Sequence, residues 1–459
     1  MADLYSRLKR IKAGRGAAKS PGEGDAGGNP EDATAAGSRE GIGPAVDPAR
    51  LRLGGEWRAV APLVFVRETT EPVSVPRALA SDGRFLESRL LGRRVDLGSF
   101  RFMDTETTGL SGGAGTTVFL VGAGTLEHDA LVVRQTLLVD FPGEPAFLEQ
   151  VARSLASEVW VSYNGKAFDA RLLESRFLMN GIPPMEAEHL DLLYWSRRLW
   201  RSALGSGSLG NIEREILGRG RRSDIPGIEI PERYFRFLRD GEGAGLEEVF
   251  EHHRLDIVSL AHLFLRMELI LSDPSAAADA DAALDCYRLG RWILASDESA
   301  GLDLLERAVS GERRDAAVRA ALVLSRHYRR SDRSDVALRV LSRVAAVSRD
   351  AALSRDAAVS RDAALSRDAA LSRDAALWRD EPGQSVAVLV EMAKVFEHDY
   401  RDPERARAII AAYLDHDASR RSGRSLAPGV YAALRHRLAR LERKTAADRQ
   451  SLRSDTARL

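Results

Sequence analysis

Apolar and polar positions follow two rhythms along this chain, and the change between them divides it. Within residues 58 to 97 the run Pro62-Leu63-Val64-Phe65-Val66 reads as a short strand in a proline-broken lead-in. Ser99 to Met103 reads as a strand ending on Asp104, and Thr116 to Gly122 and Ala130 to Val139 as strands either side of the polar turn Glu127-His128-Asp129, which predicts an antiparallel meander. The period then lengthens to that of a helix over Glu144 to Leu155, Phe168 to Met179, Leu190 to Trp200, Leu209 to Leu217 and Leu246 to Leu271. One buried strand, Val159 to Tyr163, interrupts these, and Asn180-Gly181 stops the second helix. Strands first, then alternating helix and strand, predict an α/β fold: a mixed sheet with helices on its faces, over residues 58–272.

Past Ser272 the Ala/Asp-rich run 273–281 reads as a linker, and the pattern from 282 to 440 is all helical. Ser299 to Ala308 aligns with Asp335 to Val344 at a shift of 36 residues, and Val336 to Leu341 with Arg405 to Ile410 at a shift of 69. Between them residues 348–377 hold five near-perfect copies of Ser-Arg-Asp-Ala-Ala-Leu/Val, and without those 30 residues the second shift falls to 39. Such periods lie near the roughly 34-residue tetratricopeptide unit, so the expectation is a helical array interrupted by an expanded hexapeptide. A six-residue period turns successive leucines by about 240°, so the insert forms no apolar stripe. Leu4, Leu8 and Ile11 sit at helical spacing in the first twelve residues. Up to residue 50 the Gly, Ala, Pro and acidic composition offers too little apolar surface to offset ordering, so 1–50 reads as a disordered tail and 441–459 as a second tail.

Composition narrows the picture only modestly. The 459 residues are 44% hydrophobic with a formal net charge of +0, so real cores are possible and no global basic field announces a nucleic-acid partner. One cysteine, Cys286, excludes an intramolecular disulfide and fits a reducing compartment, so a cytoplasmic location is expected. No apolar run has the length of a membrane span, so no membrane partner is expected.

Three short stretches carry chemistry: Asp104-Thr105-Glu106-Thr107, Asn164 to Asp169, and His252-His253-Arg254-Leu255-Asp256. Phosphodiester hydrolysis needs a neutralised phosphate and an activated water, which two divalent cations supply, and Mg²⁺ prefers carboxylate oxygens. Asp104 and Glu106, two apart on a strand, share a face. His252 lies one helical turn before Asp256, within reach of the same cluster and with a side chain able to accept a proton near neutral pH. His252 is the favoured base and His253 the alternative. Asp191 and Asp140 read as structural acids. Arg219, Arg221 and Arg222 read as a solvated basic loop, and Tyr163 as packing.

These stretches resemble the DEDD exonucleases of the RNase H-like superfamily, and most closely the YprB-like branch, whose members end in helical repeats. The segment Ser223-Asp224-Ile225-Pro226-Gly227-Ile228-Glu229-Ile230-Pro231 followed by Tyr234-Phe235 is similar to that branch as well. The resemblance spans residues 60–272. It implies that Asp104, Glu106, Asp169 and Asp256 bind two Mg²⁺ or Mn²⁺ ions, that His252 is the base, and that Thr105, Thr107, Asn164 and Phe168 contact substrate. It also implies 3′–5′ removal of nucleotides from a single-stranded nucleic acid or an exposed 3′ end, with the repeats free to take a protein partner. The histidine subgroup of the superfamily spaces its base five residues before the last Asp, where this chain has Glu251. A non-catalytic binding scaffold and a structure-specific endonuclease are the competing readings.

Overall fold

The computed structural model describes residues 53, 56–80, 84–109, 115–127, 129–205, 207–221, 224–353, 382–419 and 426–456. The expected tail over 1–50, the glycine-rich 111–114 and all but the first copy of the hexapeptide insert lie outside them.

Seven strands form one sheet in the order β1 (Arg58–Ala61), β2 (Val64–Pro72), β7 (Ala130–Leu138), β6 (Val118–Glu127), β5 (Phe100–Thr107), β8 (Val159–Ser162), β9 (Glu188–Asp191). The meander β5–β6–β7 is antiparallel as the pattern predicts, and β8 and β9 join parallel to β5. Pairing with β6 carries β5 past the expected end at Met103: Asp104 opposes Gly122 and Glu106 opposes Leu120. β3 (Phe85–Ser88) and β4 (Arg93–Asp96) make a separate hairpin. Its turn is clasped by buried Glu268, which accepts from Ser88 Oγ, Arg89 N at 2.7 Å and Leu90 N.

Helices cover both faces. On one, Phe100 and Phe102 of β5 meet Phe264 at ring separations of 4.8 and 5.6 Å, and Phe264 belongs to the long helix α6 (Glu247–Ser272). Each of these fully buried rings contributes about 2–3 kcal/mol of hydrophobic stabilisation. On the other face, Met103 packs with α1 (Glu144–Leu155), α2 (Asp169–Met179) and α5 (Ile230–Asp240). Phe119 stacks on Tyr234 of α5, whose hydroxyl donates to Leu138 O at 2.9 Å. α3 (Leu192–Leu199) and α4 (Leu209–Glu215) complete this part.

No open linker separates the sheet and its covering helices from the all-helical region. Residues 273–281 contain α7 (Pro274–Ala280), with Pro274 at its first turn and the Asp273 side chain accepting from Ala276 N at 3.0 Å. α8 (Cys286–Ile293) then places Leu289 and Ile293 in the same core as α6, with Trp292 against Trp195 at 4.7 Å. The all-helical region continues through α9 (Glu298–Ser310), α10 (Arg314–Arg330), α11 (Ser334–Leu353), α12 (Pro382–Lys394), α13 (Pro403–Ser419) and α14 (Pro428–Thr456). The aligned segments fall on every second helix, α9, α11 and α13, and bury equivalent positions such as Gly301, Ala337 and Ala406. A π-turn, Val395–Asp399, follows α12, and its Glu397 accepts from Arg440 of α14 at 2.5 Å. α14 runs on past residue 440 with Leu441 and Thr445 buried, so the expected tail begins as a packed helix.

Candidate active site

β5 presents Asp104 and Glu106 on the face that α6 covers, where the alternation begun by Phe100 and Phe102 continues beyond the apolar core. α6 can lie close because β6 has Gly122 and Gly124 beneath it: a Cβ on Gly122 would stand 2.6 Å from His253 Cε1, and one on Gly124 2.6 Å from Ile257 Cγ2. That approach brings His252 Nε2 to 3.9 Å from Glu106 Oε1, while Asp256 Oδ2, one turn along the same helix, lies 3.4 Å from it. Glu106, His252 and Asp256 each offer a ligand atom within 4.8 Å of the others, an acidic group able to hold a metal ion.

The third stretch is shaped by its backbone. Asn164 adopts φ of 65°, a left-handed conformation that asparagine tolerates better than most residues. Asp191, at the end of β9, accepts from Asn164 N at 2.8 Å and Lys166 N at 3.2 Å, and also caps α3 through Leu193 N. This agrees with the structural reading of Asp191. Gly165 leaves room for the chain to turn back, since a Cβ there would meet Ser162 Oγ at 2.6 Å and Asp169 Oδ2 at 3.0 Å. Asp169 therefore opens α2 with its carboxylate buried against β5, where Thr105 Oγ1 donates to Oδ1.

The acids perturb one another. Burial, then Asp256, Asp169 and Glu106, push the Asp104 carboxyl well above its usual range. Burial, then Asp256, Asp169 and Asp224, do the same to Glu106, with Arg221 opposing. Asp169 is pushed up to about 6 by burial, against the hydrogen bonds from Thr105 and its own backbone amide. Concentrated negative charge of this kind attracts protons and cations alike.

His252 and His253 are placed very differently. His253 has no exposed side-chain surface. Gln135 Nε2 spends one hydrogen on Phe250 O and the other on His253 Nδ1 at 3.0 Å, which assigns the ring proton to Nε2 and donates it to Asp104 O at 3.1 Å. Burial lowers His253 to about 3, so it stays neutral and ties α6 to the β5 backbone. His252 instead faces the acids, and its Nδ1 lies 2.6 Å from Asp224 Oδ1.

Four side chains expected to contact substrate divide. Thr105 is buried on Asp169, and Thr107 is buried with its hydroxyl donating to Gly109 O at 2.9 Å, so both hydroxyls already serve the protein. Asn164 is exposed and Phe168 half-buried at the cap of α2. In the basic loop Arg219 is exposed as read and Arg222 lies outside the described residues, while Arg221 corrects the sequence reading. Arg221 is 9% exposed, not solvated: its Nη2 donates to Glu213 Oε1 at 2.6 Å and to Asp256 Oδ1, and its Nη1 to Asp224 Oδ2 at 3.1 Å. Neither Arg221 nor Asp224 stood out as a site residue in the sequence. Tyr163, half-buried with its hydroxyl on Gly207 O at 2.7 Å, packs as read.

A sheet of this order, with acids on its central strand and on a covering helix, defines an RNase H-like domain, and residues 101–268 match the RNase_H superfamily. The chain is also 33% identical over 309 residues to "Uncharacterized protein YprB" of Bacillus subtilis (strain 168), an alignment covering 62% of this chain and 73% of that protein. The chain belongs to the YprB family within that superfamily. RNase H-like domains are generally nucleases, so nucleic acid is the substrate class this domain implies. Among the described residues no helix is long and apolar enough to cross a membrane.

Proposed function

We propose that the chain is a DEDD-type exonuclease that removes nucleotides from the 3′ end of single-stranded nucleic acid, with two Mg²⁺ or Mn²⁺ ions held by Asp104, Glu106, Asp169 and Asp256. The observation that carries this reading is the grouping of Glu106 of β5 with Asp256 and His252 of α6, together with the rise of Asp104, Glu106 and Asp169 above their usual range. A protein that used this face only for binding would have no physical reason to concentrate like charges there.

Bound divalent ions would neutralise the scissile phosphate and lower the pKa of the attacking water. The chain's own residues do the rest. His252 receives a proton at Nε2, which faces the cluster, while Nδ1 is held between Asp224 Oδ1 at 2.6 Å and Arg221 Nη1 at 3.0 Å, contacts that orient the ring. Thr105 orients the Asp169 carboxylate, and His253 holds the Asp104 backbone against α6. Asn164, exposed, and Phe168, half-buried, meet the terminal nucleotide. The 3′ polarity rests on the resemblance to DEDD exonucleases. The helical region is read as tetratricopeptide-like, a surface for a protein partner or for guiding substrate, on the strength of the pattern shared by α9, α11 and α13. The single cysteine supports a cytoplasmic setting.

The test is degradation of 3′- and 5′-labelled single-stranded DNA and RNA by the full chain with Mg²⁺, Mn²⁺ or EDTA, beside Asp104→Asn. Metal-dependent shortening from the 3′ end that is lost in the variant is the expected result. Internal cuts would make it an endonuclease. A wild type that is inert on all substrates and binds no divalent ion would leave a scaffold.

A further inference from the structure

Arg221 is a cation in contact with the acidic cluster, and its wiring has two halves. One is permanent in character: Glu213, 2% exposed, accepts from Arg221 Nη2 at 2.6 Å and from Ser259 Oγ of α6 at 2.6 Å, a buried pair that is costly to break. The other half reaches into the site, where the same Nη2 donates to Asp256 Oδ1 and Nη1 lies 3.1 Å from Asp224 Oδ2 and 3.0 Å from His252 Nδ1. Among the described residues, Nε has no hydrogen-bond partner although it is buried. Burial works against the charge on Arg221, and Asp256 and Glu213 outweigh it, so the guanidinium stays fully charged.

Arg221 and a divalent cation thus draw on the same carboxylate. We propose that Arg221 is a built-in competitor of the metal at Asp256: it steadies the acidic cluster electrostatically and must yield Asp256, while keeping Glu213, when a divalent cation binds. This inference rests on the metal-site reading above. Its physical content is linkage. Two cations that stabilise the same anion oppose each other, and the coupling is equal in both directions. Glu213 makes the exchange feasible, because Arg221 can release Asp256 without leaving its own charge buried and unpaired. The consequence is a metal threshold: the site loads at higher Mg²⁺ or Mn²⁺ concentration than its acids alone would require.

Calorimetric titration of Mn²⁺ into the EDTA-treated, dialysed full chain tests this with wild type, Arg221→Gln, and the double variant Arg221→Gln/Glu213→Gln, which removes both charges of the buried pair should the single variant fold poorly. The expected result is Mn²⁺ binding tighter than wild type in the folded variants by on the order of tenfold. Their melting temperature should be lower than wild type without metal and should rise more on adding it. Binding to wild type with no gain, or a loss, in the folded variants overturns the competitor role and leaves the metal site standing. No binding by any of the three proteins overturns the metal-site reading itself, and this inference with it.

Discussion

The carboxylates of the site and Glu397, on the π-turn after α12, are both taken out of water, yet they are perturbed in opposite directions. The Glu397 side chain has no exposed surface, against 23% for Asp104 and 13% for Glu106. Burial alone would raise it, but Arg440, His398 and Lys444 hold it below the usual carboxylate range. Around Asp104 and Glu106 the neighbours are themselves acids, and burial and repulsion act together. The same side-chain chemistry therefore makes a clasp in one place and a cation trap in the other. At Glu397 cationic neighbours outweigh burial, whereas at Asp104 and Glu106 acidic neighbours add to it.

The comparison can be broken most severely at the trap. Asp104→Asn should reduce cleavage by more than the roughly 100-fold that outer partners of a metal site are worth, measured as kcat/KM on a labelled strand. It should not lower the melting temperature in EDTA, because it removes repulsion. A clear loss of stability would instead make Asp104 a structural acid like Glu397. Asp224→Asn should cost roughly 10–100-fold, mainly in kcat, through loss of the carboxylate that orients His252. An unchanged kcat with a raised KM would assign Asp224 to substrate binding.

Acid should separate the two regions by sign. Asp169 sits at about 6, above its unfolded value, so it must lose a proton to ligate a cation. Protonation of Asp169 should lower Mn²⁺ affinity by at most about tenfold per unit below that pH, in addition to the loss through Asp104 and Glu106, which burial and neighbouring acids also push up, read by calorimetry. In EDTA, protonating Asp169 stabilises the fold as pH drops through about 6. Glu397 behaves oppositely: its contribution is present at neutral pH and is lost only as pH falls through its depressed value. Smallest of all, Glu397→Gln should lower stability by about 1–2 kcal/mol, since its cationic partners remain partly exposed and can rehydrate. Cleavage by the folded variant should not change.

What the sequence made legible was local. The limits of α1 coincide with the helix read from spacing, and the Asp104/Glu106 and His252/Asp256 intervals put each pair on one face of its element. Residues whose role depends on a distant element were silent. Arg221 and Asp224 belong to a connection without periodicity, and their partners lie on α4 and 28 to 35 positions further along the chain on α6. β9 reads Glu-His-Leu-Asp, with a single apolar side chain, and was absorbed into the helix that follows it. α7 carried a visible signal, an Asp cap and a first-turn proline before alanines, but its acidic, small-residue composition resembles a spacer. The family resemblance marked Thr105 as a substrate contact. Strand alternation turns it instead to the other face, where the β8–α2 turn delivers Asp169.

Gly122 and Gly124 give this architecture a calibrated spacer. The gap between sheet and helix, and with it the span from Asp104 to Asp256, is set by two hydrogens on a strand that contributes no group to the chemistry. Alanine at either position would act as a shim inserted beneath α6, leaving every reactive side chain intact while altering the bite of the jaw they form. A catalytic geometry that is usually probed by deleting its teeth could thus be tuned from behind, one methyl group at a time.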